Sequence, residues 1–317
     1  MATDDEHRPD GPADPAGDRL VRAIVDDGAA RVVVAIATGV AREAARRHDA
    51  GPVAAVAMGR AATAGLLLAT LTKNDERVTL QILGNGPLGT LTVDAGSAGT
   101  ARVFVTNPRF ALQSRAAVAT PAVARAVGSS GVVNVVRDLG PGHDFSGQTP
   151  IVDGEIDTDV EHYLCHSEQI DSALACETRL DARGGVAMAV GVLVQALPQE
   201  AGARYVAEAR ARLRAGALRD LPDDADEAAI IAAALGDDVG LARLLPGALR
   251  LRFHCPCSRE RAASTLALLG EDDLLTLIRE EGAADVTCEF CRARYDFTDA
   301  ALENIRQGLR RDAGLPS

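Results

Sequence analysis

The stretch "RVTLQILGNGPLGTLTVDAGSAGTARVFV" (residues 77–105) decides the architecture. It contains three runs rich in Val, Leu, Ile and Thr, broken at "GNGPLG" (84–89) and "AGSAG" (95–99). Such runs punctuated by Gly and Asn predict three consecutive strands, a meander. "GNGPLG" has the glycines of a phosphate loop, but it lacks a following Lys-Ser/Thr and has strands on both sides, so it reads as a hairpin turn.

Outward from the meander, strands and helices mix. "RVVVAIA" (31–37) and "GVVNVVRDL" (131–139) are strand-like, while "VAREAARRH" (40–48) and residues 53–71 have helical character. "DTDVEHYLCHSEQ" (157–169) is predicted helical, and "VAMAVGVLVQAL" (186–197) is an apolar strand or a buried helix. With no regular strand–helix–strand alternation, the expected class is α+β, a sheet-and-helix core domain over residues 19–198. The longest apolar runs, 61–71 and 186–197, are about a dozen residues each, too short to span a bilayer.

A length of 317 residues suggests two domains. Hydrophobic residues make up 47% of the chain but aromatics only 3%, so the core must be built from Ala, Val, Leu and Ile. The net charge of −12 opposes a nucleic-acid partner. Residues 1–18, "MATDDEHRPDGPADPAGD", are acidic and rich in Pro and Gly, with no basic-then-apolar pattern. They are expected to be a disordered tail and not a signal peptide. Without a leader or a membrane span the expected location is the cytoplasm, where clustered cysteines serve metal or redox chemistry more often than structural disulfides.

From residue 199 to 250 the chain becomes rich in Ala, Arg and Asp, with helical periodicity and sparse apolar positions such as Leu213, Leu218, Ile230 and Ile231. Glu208 and Arg212 form a favourable pair one turn apart, and Arg210 and Arg214 repel each other at the same spacing. Helices of this kind are marginal alone. The expectation is a helical linker able to order or melt.

The last segment, 251–317, holds four of the six cysteines: Cys255 and Cys257 in "FHCPCSRE", Cys288 and Cys291 in "TCEFCRARY". Ser258 is a candidate N-cap, 270–282 a second helix stopped by Gly282, 285–297 a turn between short strands, and a final helix starts after Thr298. Two close cysteine pairs make a four-thiolate site, the closed geometry of structural zinc. One Zn2+ per chain is expected on Cys255, Cys257, Cys288 and Cys291, with the adjacent His254 not needed. A closed site leaves no position for water, so hydrolytic catalysis is not expected. A module of this size has a slight core, and the metal supplies most of its stability. Each pair is also spaced for an internal disulfide, and the longer loop at Cys288/Cys291 should close first. Arg252, Arg259, Arg261, Arg292 and Arg294 either favour thiolate or are ordinary solvated arginines.

At this point the sequence resembles a known family, the redox-regulated heat-shock holdases called 33 kDa chaperonins. The resemblance runs from Leu20 to the C-terminus. It is carried by the cysteine block 255–297, by "GNGPLGTLTVDA" (84–95), by "DGEIDTDVEHYLCHSEQ" (153–169) and by "GVLVQALP" (191–198). It departs from the family's pattern at Ala101, Arg102, Val103 and Phe104. The resemblance implies a non-enzymatic, ATP-independent chaperone that is largely inactive as a reduced, zinc-bound monomer. Oxidants would convert Cys255–Cys257 and Cys288–Cys291 to disulfides, release zinc, unfold the C-terminal domain and linker, and produce a homodimer. That form would hold unfolding or oxidatively damaged client proteins and pass them to ATP-dependent foldases.

Other features have competing readings. His162, Cys165 and His166 share one helix face and suit a metal, although a packed Cys between surface histidines is the plainer account. Cys176 reads as a small buried apolar residue. Glu155, Asp157, Asp159 and Glu161 look like a carboxylate cluster but suit a helix N-terminus. Two rival functions are a thiol–disulfide oxidoreductase using Cys288 and Cys291, and a zinc-ribbon nucleic-acid binder, which the charge opposes.

Overall fold

The computed structural model describes residues 17–72, 76–110, 122–138, 140, 144–199 and 201–312; the predicted tail lies outside them up to residue 16. Contacts divide the chain into two compact units, one ending at His254 and one beginning at Cys255.

In the larger unit the described elements run β1 (Arg19–Val25), β2 (Ala30–Ile36), α1 (Thr38–Arg47), α2 (Pro52–Leu68), then the meander β3 (Arg77–Gly84), β4 (Thr90–Gly96) and β5 (Thr100–Val105). After these come α3 (Ala122–Val127), β6 (Gly131–Asp138), β7 (Asp144–Pro150), α4 (Ile156–His166), β8 (Ser172–Leu180) and β9 (Val186–Ala196). The last part contains α5 (Gly202–Arg214), α6 (Glu227–Leu235), β10 (Ala242–Leu244), β11 (Leu249–Arg250) and β12 (Arg252–Phe253). They form two mostly antiparallel sheets, ordered β10-β1-β2-β9-β8 and β12-β5-β4-β3-β6-β7, with β11 also on β1. The α+β class read from sequence is the observed one.

The meander pairs in simple register, Leu80 opposite Val93 on β4 and Val135 on β6. Helix α2 packs on β8 and β9 of one sheet and on β4 and β5 of the other. Glycine allows this close approach: a Cβ at Gly59 would lie 2.6 Å from Thr178 Cγ2, and one at Gly65 2.6 Å from Val93 Cγ1. With its 3-10 extension the helix covers 20 residues, and within it an 18-residue stretch of mean hydropathy 1.5 has 78% of its residues buried in the protein. It is thus longer than the dozen-residue run read from sequence, long and apolar enough to cross a membrane by composition, and yet a core helix.

The 186–197 run resolves as strand β9, apolar apart from the buried Gln195 because both faces are covered. Met188, Val190, Val192 and Val194 face α5 and α6 in one cluster with Val21, Val32 and Ala173. On the other side a Cβ at Gly191 would meet Thr63 and Leu67 of α2.

Three expectations change. Asp18, assigned to the tail, is buried, and its carboxylate accepts the Gly39 (2.8 Å) and Val40 (2.7 Å) amides at the start of α1. The 199–250 segment is not purely helical: β10 and β11 pair with β1, short strands that owe their form to that partner's backbone. Glu208 meets Arg204 (3.4 Å), and Arg210 and Arg214, expected to repel, both donate to Glu161 Oε1 at 3.0 Å.

The smaller unit contains α7 (Arg259–Ala267), α8 (Glu271–Glu280), the hairpin β13 (Ala283–Thr287) and β14 (Arg294–Thr298), and α9 (Asp299–Asp312). Its core is Ala262, Leu266, Leu274, Tyr295, Phe297 and Leu302 with a partly buried fringe.

Candidate metal centre

Both cysteine pairs are placed by local structure. Cys257 precedes the N-cap of α7, where Ser258 Oγ accepts the Arg261 amide at 3.3 Å, so this sulfur lies near the positive end of a helix. Cys288 and Cys291 sit in the turn that joins β13 to β14. That turn is closed by Cys288 N–H to Ala293 O and Arg292 N–H to Cys288 O, each 2.8 Å. Arg292 takes a left-handed φ of +60° to complete it.

The four ligand sulfurs lie within 4.8 Å of one another, and this is the one such group of three or more metal-ligating side chains among the described residues. Cys255 Sγ is 3.7 Å from Cys288 Sγ, and Cys257 Sγ is 3.2 Å from Cys291 Sγ. Cys255 and Cys291 are buried; Cys257 and Cys288 are partly exposed. The group can hold a metal ion. His254 is outside it.

The electrostatics favour a cation. The Cys291 thiol is pushed well up by its contacts with Cys255 and Cys288 and then by burial. Cys257 is raised by burial, against which the Tyr295 and Cys291 contacts act. Sulfurs this crowded resist ionising together, and a divalent ion reverses that balance.

Tyr295 is the residue that sequence reasoning missed: its hydroxyl donates to Cys257 Sγ at 3.2 Å. The available signal was its place in the Tyr-x-Phe flank after Cys291. Of the arginines named around the site, three have other engagements. Arg259 donates to Asp296 O (2.7 Å) and stacks on Phe297 at 4.4 Å; Arg292 meets Glu289 (3.5 Å); Arg294 meets Asp296 (2.9 Å).

The other singled-out residues are in the larger unit. His162 and His166 face each other with ring centroids 3.9 Å apart, while the Cys165 thiol turns to Ser172 O at 3.6 Å. The three therefore do not converge. Cys176 is buried, as expected, and its thiol is raised first by burial. Asp157 and Asp159 lie in the first turn of α4. Glu155 pairs with Arg60, and Glu161 also accepts the Leu174 amide at 2.9 Å.

The profile of the family described as "Hsp33 protein" matches residues 18–298. A protein named 33 kDa chaperonin from Trichodesmium erythraeum is 39% identical, over 92% of this chain and 94% of its own length. One from Listeria welshimeri is 36% identical, over 91% and 98%. The crystal structure of the 33 kDa chaperonin (heat shock protein 33 homolog) from Thermotoga maritima superposes with a TM-score of 0.78 at 30% identity, covering 92% of this chain and 98% of that one. Chaperonin is the name of a non-enzymatic function. The chain belongs to the Hsp33 family of chaperones.

Proposed function

We propose that the chain is an ATP-independent holdase held inactive by zinc and switched on by oxidation. The observation that carries this reading is the four-sulfur group lodged in a unit whose apolar core has, among the described residues, six buried side chains with a partly buried fringe. Zinc–sulfur bonds of about 2.3 Å in a tetrahedron put sulfurs about 3.8 Å apart; the Cys255–Cys288 separation of 3.7 Å is close to that, the Cys257–Cys291 separation of 3.2 Å is shorter, and all four sulfurs lie within 4.8 Å of one another. Cys255, Cys257, Cys288 and Cys291 are the proposed ligands. Zinc, when bound, would offset half of the charge of four thiolates and tie the segment before α7 to the β13–β14 turn.

The chain's own residues perform the switch. Within each pair, Cys255–Cys257 and Cys288–Cys291, one thiolate attacks an oxidant such as hypochlorous acid or peroxide. The partner sulfur then displaces the oxygen or chlorine, forming one disulfide and delivering two electrons to the oxidant, which leaves as chloride and water or as water. Two oxidant molecules thus remove four electrons per chain. With no thiolate left, zinc departs, and a core this slight does not hold the unit folded. Melting extends along the chain into residues 199–250. Lifting α5 and α6 from the sheet uncovers Val21, Val32, Met188, Val190 and Val192, a surface suited to unfolding or oxidatively damaged clients and to a second copy in a homodimer. Clients pass to ATP-dependent foldases once the thiols are restored. The cytoplasm is the compartment where thiols rest reduced and such a switch has meaning.

The test is to treat zinc-loaded protein with hypochlorous acid while following zinc release, helix content and aggregation of a denatured test protein together. All three should change in step. Zinc loss without protection of the test protein refutes the holdase. Catalytic turnover of a small disulfide would favour the oxidoreductase built on Cys288 and Cys291.

A further inference from the structure

A cavity of about 390 Å³ opens beside α4, and its lining includes His162, His166, Cys165, Glu161 and Asp171. None of these belongs to the four-cysteine group. His162 and His166 are one helical turn apart, so the backbone delivers both imidazoles to one side of α4. Their ring centroids are 3.9 Å apart and their planes differ by 31°.

The ring of His166 is fixed by a second contact: its Nδ1 lies 3.0 Å from the His162 carbonyl oxygen. A carbonyl can only accept, so Nδ1 carries the proton, and in the neutral ring Nε2 keeps its lone pair. That is how a metal-binding histidine is oriented, with one nitrogen held by a backbone carbonyl and the other left for the ion. The neighbouring groups are engaged elsewhere. Asp171 meets Arg210 at 2.8 Å, Glu161 meets Arg210 and Arg214 at 3.0 Å, and the Cys165 thiol faces Ser172 O. Arg210 and Arg214 also line the cavity, their charges met by these carboxylates, so what it offers an ion is two imidazoles with space for water at the remaining coordination positions.

We propose that His162 and His166 chelate a divalent transition cation of the class that prefers imidazole, Ni2+, Cu2+ or Zn2+, at a site separate from the four cysteines. No sulfur takes part, so disulfide formation does not remove its ligands. The protein would therefore keep a metal site of moderate affinity in both oxidation states.

The test uses the full reduced chain, zinc-saturated, titrated with Ni2+, which does not oxidise thiols. Histidine ring signals are followed by long-range nitrogen–proton NMR, and bound nickel by equilibrium dialysis. Paramagnetic broadening should reach His162 and His166 before His48 and His254. His166→Asn, at an exposed position, should lower the affinity of one nickel equivalent roughly tenfold or more, because the second imidazole no longer acts at high effective concentration. His162→Asn should do the same, and circular dichroism checks that each variant is folded. Should wild type and His166→Asn bind nickel equally, or all six histidines broaden together, the chelate does not exist.

Discussion

Strand β9 buries nine of its eleven residues, whereas β14 buries two of five. The first runs between two helical layers in a unit with abundant aliphatic core. The second edges a two-stranded hairpin whose neighbours are short amphipathic helices. Cohesion in the larger unit comes from apolar area removed from water. In the smaller unit that area is scarce, and four sulfurs occupy the place where more core would be needed. The two cysteines of the larger unit, Cys165 and Cys176, are half-buried and buried, whereas the four of the smaller unit sit together, where the proposed oxidation would act.

Metal removal is the strongest way to sharpen this contrast. Reduced protein stripped by a chelator should lose helices α7–α9 while the two large sheets persist, since metal binding in such modules is worth on the order of 10–16 kcal/mol. Circular dichroism with residue-resolved amide exchange reads both at once, and protected amides in 259–312 without metal would break the comparison. A cavity in the larger core should have the opposite pattern. Leu67→Ala, at a fully buried position, is expected to cost about 2–5 kcal/mol in the melting of the larger unit and leave the metal stoichiometry unchanged.

Tyr295→Phe removes the hydroxyl that donates to Cys257. A hydrogen bond to a charged sulfur contributes about 1.5–3 kcal/mol, so metal release in a chelator competition should become at least several-fold faster with little change in the rest of the fold. Equal release rates for the two proteins would remove Tyr295 from the site. The smallest effect belongs to Asp159, whose carboxyl is raised to about 6 chiefly by burial, against the hydrogen bonds it accepts from Val152 and Asp153. Because the folded state holds this proton more tightly than the unfolded chain does, stability falls as pH rises from about 4 to about 6, and the cost persists above. Asp159→Asn keeps the acceptor oxygen and should stabilise the larger unit by about 1 kcal/mol at pH 7, with the advantage vanishing near pH 4. A pH-independent difference would contradict this origin.

Much of this was legible in the residues. The meander showed itself because its strands are bounded by Gly and Asn, with β3 alternating toward one buried face and β4 buried almost throughout. The four cysteines were readable because a metal site depends on residue type and local spacing. What escaped was whatever a distant partner decides. β1 and β8 were not foreseen, β10 and β11 are strands only because β1 offers an edge, and β9 was ambiguous until its two covers were known. Arg210 and Arg214 looked repulsive on their own helix, and only Glu161, some fifty positions earlier in the chain, reverses the sign. Tyr295 lay in view, but nothing local pointed its hydroxyl at sulfur.

Helix α2 has no side fit to meet solvent: thirteen of its seventeen residues are buried, and both large sheets lean on it. On the mechanism proposed above, work that begins with partial melting needs a depth beyond which melting does not go. Stripping either sheet from this helix would bare a sticky rod to water and turn a guardian against clumping into a nucleus for it. The all-round greasiness of α2 would thus act as a floor under the proposed disordering, confining it to segments that can come loose without harm.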